Sequence, residues 1–417
     1  MQFYLNRIKE RLWLKPLIVA VFSVIAALTA RTVDRLGLEA ITPKISTETN
    51  ISLLEIMASS MLVIATFAVG SMITAYSSAS NTATPRSFPL VLADDTSQTA
   101  LSSFIGAFIF SIVSLVALYN SYYGHVARFA LFLLILAVFS WVVFMFVKWV
   151  DNIARLGRLG NTVDKVEATA SRSLQRRRDQ PALGGVIAKE GTADGKPVYA
   201  RTFGYVQQVD VAGLQAIAEA SDCEILVQAL PGKFAGPKDA LALIRSSANE
   251  SEVDSEKVAA RFRIGDDRVF DDDPRFALIV LSEIAGRALS PAVNDPGTAI
   301  DILGTFVRLF AAWVAPQDDK AGDALHDRVF VPLLDVSDLV DDAFSMIMRE
   351  GAGSPAVAIR LQKSFAALAS LEDDALQAAV RRSSRMSLTL SEKALQLEED
   401  IVATRGAAQQ VQVDDAA

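Results

Sequence analysis

The sequence predicts an integral membrane α-helical bundle of four spans followed by an α+β portion, itself a small β-rich module and a helical domain. Three observations predict this. Long uncharged apolar runs are confined to the first 150 of the 417 residues. Charge changes sign along the chain: residues 1–180 hold 17 Lys or Arg against 11 Asp or Glu, whereas the remainder holds 23 against 37. Beyond residue 180 the apolar pattern first reads as strands and then, from Pro274, takes the helical period. The expected division is 1–150 transmembrane, 151–180 amphipathic stalk and basic linker, 181–270 β-rich module, 271–405 helical domain and 406–417 disordered tail.

The first span is the shortest. Residues 17–30 are apolar but number only 14, so the helix reaches spanning length only if Leu12, Trp13 and Leu14 join it and Lys15 extends its ammonium to the interface. A cleaved signal peptide is the alternative. The long basic flank, with Trp13 and Pro16 ahead of the apolar core, speaks against it. Residues 56–85 carry no formal charge, and 57–76 form the apolar centre of a second span. Residues 101–119 and 129–147 supply the third and fourth, each about 28 Å of helix. The link from Asn120 to His125 is short enough to force an antiparallel hairpin, with Tyr122 and Tyr123 at an interface.

Basic residues flank both ends of this region: Arg7, Lys9, Arg11 and Lys15 before it, Lys148, Arg155, Arg158 and Lys165 after it. An even number of spans places both flanks, and so both termini, in the cytoplasm. No span has an ionisable residue in its middle, which disfavours a proton relay or charge-coupled transport. Small residues recur at helical spacing, Gly70, Thr74 and Ser78 in the second span and Ser102 and Gly106 in the third. They serve either close helix packing or the lining of a pore.

After Trp149 the apolar residues Ile153, Leu156, Leu159, Val163 and Val166 mark an amphipathic stalk that ends in Arg176-Arg177-Arg178, a basic linker or a contact for anionic headgroups. Strands are expected within residues 197–211, 224–230 and 261–264, with a helical excursion at 214–220 and a turn at Pro231-Gly232. Gly184-Gly185 and Gly191 to Gly195 read as flexible hairpin or linker residues. Cys223 is the single cysteine, and His125 and His326 are the only histidines, so a disulfide framework and a histidine-rich metal centre are excluded within one chain. The acidic surplus of the second part argues against nucleic acid as a partner. No catalytic constellation is present, and no glycine pattern matches a nucleotide-binding loop.

From Pro274 a helix runs through Phe276, Ile279, Val280, Ile284 and Leu289, with Glu283 and Arg287 spaced as an intrahelical pair. It must stop before Pro291. In the elbow that follows, Asp295 is suited to cap a new helix with Pro296 at its first position. This structural role accounts for Ser290, Pro291, Asp295 and Pro296 but less fully for Asn294. The alternative is a hard divalent cation held by Asp273, Asn294 and Asp295. No other cofactor is expected.

Several strings in this second part resemble a known group. They are Asp273-Pro274-Arg275-Phe276, the run from Leu281 to Ala299 with its elbow Ser290-Pro291-Ala292-Val293-Asn294-Asp295-Pro296-Gly297-Thr298, Gly204-Tyr205-Val206-Gln207 with Asp210, and Pro231-Gly232-Lys233-Phe234. Together with the four apolar runs they look like the predicted bacterial membrane proteins of domain-of-unknown-function family 2254, over nearly the whole chain. Gly297 departs from the pattern, standing where a bulkier, often aromatic, residue is expected in relatives; this speaks against stacking at that position. The resemblance implies a multi-spanning inner-membrane protein with a cytoplasmic domain, and no activity.

The leading functional expectation is a homo-oligomeric ion channel or passive conduit in the lipid bilayer, with the second part as assembly or gating domain. A membrane-tethered scaffold or ligand sensor is the alternative. A metal-dependent membrane-bound hydrolase built on Asp273, Glu283 and Asp295 is the third, and a non-enzymatic role is preferred to it because no histidine lies nearby.

Overall fold

The computed structural model describes residues 13–36, 42–92, 94–156, 158–189, 194–246, 253–316 and 324–411. Arg7, Lys9, Arg11, Leu12, most of the 191–195 glycine stretch and residues 412–417 of the expected tail lie outside them. The chain divides into two compact units, Met1–Thr162 and Val163–Ala417.

The first unit contains α1 (Leu14–Thr29), α2 (Thr47–Thr82), a short α3 (Phe88–Leu92), α4 (Asp95–Tyr119) and α5 (His125–Leu156). Lys15 meets Asp95 at the start of α4 at 2.6 Å, so the one charge at the head of α1 is answered by a carboxylate. At the same end, Asn152 near the close of α5 donates to Asp94, the residue that caps α4, at 2.7 Å. At the opposite end Asp34 accepts from the backbone N–H groups of Gly124 and Ala127, both at 2.8 Å. That carboxylate satisfies donors at the positive terminus of α5, where an anion is most stabilising. With Asn50 near the start of α2 donating to the Arg128 carbonyl near the start of α5 at 3.0 Å, these ties alternate the direction of the four long helices.

α4 is the central helix, its whole length lined by buried residues. Phe104, Phe110, Trp149, Leu131, Leu54 and Met57 fill the space around it, each nearly inaccessible. α1, α2 and α5 turn large apolar side chains outward instead, among them Phe22, Phe67, Ile73, Phe139 and Phe144. An outward apolar surface of this extent is what a lipid-facing bundle presents.

α6 (Leu159–Asp179) leads into the second unit. A five-stranded sheet there has the order β1-β8-β4-β6-β2, from strands β1 (Gly185–Ile187), β2 (Lys196–Tyr199), β4 (Cys223–Val227), β6 (Ala240–Ser246) and β8 (His326–Val331). A three-stranded sheet has the order β5-β3-β7, from β3 (Gly204–Val209), β5 (Phe234–Ala235) and β7 (Phe262–Gly265). Helices α7 (Val211–Ala220) and α8 (Ser255–Ala259) accompany them. Their shared core holds Val206, Leu214, Ile225, Val227, Leu241 and Val329. β8 comes from beyond the 181–270 stretch and lies parallel to both β1 and β4. Gly184-Gly185 is not a loose linker: Gly184 turns with φ +86° and Gly185 opens β1, where a Cβ would crowd the Val329 carbonyl.

The remaining helices are α9 (Pro274–Leu289), α10 (Pro296–Val314), α11 (Val336–Glu350), α12 (Pro355–Ala369), α13 (Asp374–Ala394) and α14 (Glu398–Gln409). Phe344 of α11 anchors them, its ring centroid 5.2 Å from Phe306 and 5.0 Å from Phe365. α14 continues past Gly406, and Ala407, Ala408 and Val411 are buried, so packed structure extends into the stretch expected to fray. Asp210, Asp254, Asp273, Asp295, Asp335 and Asp373 each cap a helix through their carboxylates, which absorbs part of the acidic surplus into local structure.

Among the described residues five helices are long and apolar enough to cross a membrane. Four are those expected from the sequence; the fifth is α10 in the second unit. One side of α10 buries Leu303, Phe306, Leu309 and Phe310, while Asp301 and Arg308 stand exposed on the other. That two-sided pattern is what a helix packed by one face presents.

Candidate functional site

The small residues singled out in the first unit separate into two environments. Ser102 and Gly106 of α4 are buried. A Cβ at Gly106 would overlap Val19 and come within 3.1 Å of the Ser23 hydroxyl, so this glycine allows α1 and α4 to approach closely. Gly70, Thr74 and Ser78 of α2 are exposed, and nothing lies within 4 Å of a Cβ placed at Gly70. Gly70 and Thr74 belong to a longer line. Ser52, Ser59, Thr66, Gly70, Thr74 and Ser77 lie at seven-, four- and three-residue intervals on one face of α2, all exposed, with the exposed Ile56 and Val63 in the two seven-residue gaps and small residues alone from Thr66 onward. Ser59, Thr66 and Thr74 turn their hydroxyls back to carbonyls of their own helix at 2.9, 2.8 and 3.1 Å, which leaves their small apolar sides outward.

A second concentration of polar groups surrounds the start of α9. Asp273 caps the helix by accepting from Phe276 N–H, and its carboxylate is gripped by Arg268 at 2.7 and 3.0 Å while only 1% exposed. Burial pushes the Asp273 carboxyl up, and the Arg268 guanidinium pulls against that rise. Gly232, at φ +95°, seats the Pro231-Gly232 turn directly on this pair, because any Cβ there would overlap the Asp273 carboxylate. Two residues on, Arg275 bonds Asp342 of α11 at 2.6 Å and also reaches Asp338. Gln207 of β3, almost fully buried, donates to the Asp267 carbonyl at 2.7 Å.

The three arginines expected to form a basic linker belong to the last turn of α6, and each is committed. Arg176 donates to the Asp271 carbonyl, Arg177 to that of Pro332, and Arg178 to those of Ala312 and Ala315 where α10 ends. Burial lowers the Arg177 guanidinium to about 10. Sequence reasoning missed Arg177, Arg268 and Asp342 as partners because their charge-rich surroundings look like solvated surface. The useful signal was indirect: Gln207, Gly232, Asp273 and Arg275 all sit in the strings that carried the family resemblance.

The elbow lies at the other end of α9. The helix stops at Ser290, whose hydroxyl bonds the Arg287 carbonyl at 2.7 Å. Asn294 adopts φ +51°, a left-handed conformation that asparagine tolerates better than most residues, and this explains the position. Asp295 caps α10 at Thr298 N–H and accepts from the Thr298 hydroxyl at 2.6 Å, with Pro296 in the first turn. The Thr298 hydroxyl holds the Asp295 carboxyl below the usual carboxylate range. Glu283 and Arg287 stand one turn apart on α9 between the two ends.

The candidate cation ligands are therefore not brought together. Asp273 and Asp295 are separated by the 16 residues of α9, about 24 Å of helix. Asp273 is already neutralised by Arg268. Among the described residues no group of three or more His, Cys, Asp or Glu is placed to hold a metal ion.

The family described as predicted membrane protein (DUF2254) matches residues 9–367. The chain belongs to this family. It is a multi-pass membrane protein with a mixed β-sheet module and further helices. It is similar to an uncharacterized protein of Mycobacterium bovis and to one of Mycobacterium tuberculosis strain H37Rv, each 30% identical over 187 residues. Those matches cover 42% of this chain and 35% of the relative, so the chain spans about a third of the length of the curated relatives it matches. No solved structure matches it. Both polar assemblies of the second unit, around Asp273 and at the elbow, fall inside the stretch matched by the family.

Proposed function

We propose that the protein is a homo-oligomeric conduit of the bacterial inner membrane, in which copies associate along the outward face of α2 and the path for solutes lies between them. The observation that carries this reading is the line from Ser52 to Ser77. In lipid, a glycine and a series of small hydroxyl residues contribute less than leucine or phenylalanine would, whereas against another helix they permit close approach. Within one chain the space around α4 is filled by Phe104, Phe110, Trp149 and Leu131. A path between copies needs no midspan charge, since hydroxyls and constrictions can define it. The second unit then serves assembly or gating from the cytoplasmic side, with both termini there.

The test is reconstitution. Native mass spectrometry from nanodiscs should give a defined oligomer, and planar-bilayer recording should give discrete conductance steps that Thr74→Trp reduces, by weakening the α2 contact or narrowing the path beside it. A monomer in lipid, or an oligomer that never conducts across a range of salt and membrane tension, contradicts the proposal.

A further inference from the structure

The edge strand β5 carries a feature that neither assembly nor conduction uses. Phe203 is 70% exposed and Phe234 55% exposed. Tyr205 lies with its ring centroid 5.1 Å from that of Phe234, in a T-shaped arrangement. Phe203 is not loose: its ring rests over Gly236, where a Cβ would overlap it. Three aromatic side chains thus form one fixed outward patch at the edge of the three-stranded sheet.

The charge around the patch opposes that of its unit. From Val198 to Val209 the only charged residue is Arg201, and from Val227 to Asp239 the charged residues are Lys233, Lys238 and Asp239, whose carboxylate accepts from the Gly236 N–H beside the Phe203 ring at 2.8 Å. Arg201 is paired with Glu256 at 2.9 Å. Lys233 donates to the Gln228 carbonyl at 3.2 Å, a contact that leaves its positive charge available, and Lys238 is exposed. Beyond residue 180 the chain carries 37 acidic against 23 basic residues, so two lysines against the single carboxylate of Asp239 leave this aromatic edge locally positive in an acidic setting.

We infer that this aromatic and basic edge docks on the anionic surface of a lipid bilayer. Aromatic rings favour the headgroup level, and lysines beside them are drawn to anionic lipids. The bilayer is also always at hand, because the same chain is anchored in it; tethering raises the effective concentration of the surface and lets a small patch suffice. A partner strand is a poorer occupant. β5 has only two residues and is bracketed by Pro231 and Pro237, which cannot donate to an added strand.

The full-length protein in nanodiscs provides the test. Cys223 is the single cysteine and is buried, so Phe203→Cys, Phe234→Cys and, as an exposed control, Glu372→Cys can each be labelled selectively with an environment-sensitive fluorophore. With doxyl-labelled lipid in discs containing phosphatidylglycerol, labels at 203 and 234 are expected to be quenched several-fold more than the label at 372. In phosphatidylcholine discs, or in 0.5 M salt, that excess should largely vanish. Lys233→Glu with Lys238→Glu should lower the docked population ratio roughly 25-fold or more, at about fivefold per lysine. Since the cysteine substitutions themselves remove an aromatic ring, amide exchange on the unsubstituted protein supplies a second reading. Residues 201–205 and 231–238 should exchange more slowly in anionic than in neutral discs. Equal quenching at all three sites together with unchanged exchange overturns the inference. Shielding that follows protein concentration and persists in detergent also overturns it, and assigns the patch to a second copy.

Discussion

α2 and α4 carry the same kind of residue and place it in opposite surroundings. α4 buries Ser102, Ser103, Gly106 and Ser111 among apolar side chains, and every one of the three hydroxyls has an acceptor on its own helix. α2 turns Ser59, Thr66, Gly70 and Thr74 away from the bundle. Small residues on α4 are explained by packing within the chain; those on α2 are not. The two ends of α9 repeat the division: Asp273 is enclosed by its partners, whereas Pro291 to Asn294 are exposed. Composition alone therefore does not assign a role to a small or acidic residue, and its surroundings must.

The largest effect expected is at Asp273. Asp273→Ala leaves Arg268 without its hydrogen-bonded carboxylate, Asp342 acting on it only through space, and removes the cap of α9. Breaking a buried pair in this way costs about 3–5 kcal/mol. Denaturant or thermal unfolding of the second unit's transition in detergent should show it, and a loss under about 1 kcal/mol would mean that the pair behaves as a surface pair. Next is Gly106→Leu, which forces a side chain into Val19 and Ser23; overpacking of this kind costs about 1–3 kcal/mol. Gly70→Leu, with open space around it, should leave the melting of a dispersed monomer within about 0.5 kcal/mol. Equal losses at the two glycines would erase the contrast between α2 and α4.

Asp295→Ala removes a half-buried cap and should cost about 1 kcal/mol. Its pH dependence has a definite sign. The folded-state pKa of Asp295 is depressed, chiefly by the Thr298 hydroxyl, so its contribution is complete above the unfolded pKa of about 3.9 and is lost as pH falls through the depressed value. The difference in Tm between parent and variant should narrow as pH is lowered from 6 to 3. Glu167 behaves alike and by a smaller amount. Its hydrogen bonds from Arg308 hold its pKa down, and the partly exposed pair is screened by salt. Glu167→Gln should reduce acid sensitivity slightly, and a variant that becomes more acid-sensitive would contradict this assignment.

Much of the fold was legible because its signals are local. Uncharged apolar runs mark the long helices of the first unit. Proline with a preceding aspartate marks the starts of α9 and α10, and Pro291 marks the stop between them. Strands with distant partners were harder. β8 is six residues, His326 to Val331, whose neighbours in the sheet are β1 and β4, more than 95 residues earlier in the chain. No local pattern announces such a pairing. β6, reading Ala-Leu-Ala-Leu-Ile-Arg-Ser, has too short an apolar run for its period to separate strand from helix. The site residues divide in the same way. The elbow's geometry follows from its own prolines, Asp295 and Asn294, while the enclosure of Asp273 depends on Arg268, on the Gly232 turn and on the packing that buries Arg177 close by.

Ion flux from proteoliposomes, measured in parallel on parent, Gly70→Leu, Thr74→Trp and Gly106→Ala proteins matched for folded yield, separates conduction along the α2 face from packing within the bundle. Flux is expected for the parent, with a several-fold loss for the two α2 variants and little change for Gly106→Ala in the fraction that remains folded. Parent flux no greater than that of protein-free liposomes, or α2 variants that conduct as well as the parent, would contradict conduction along that face.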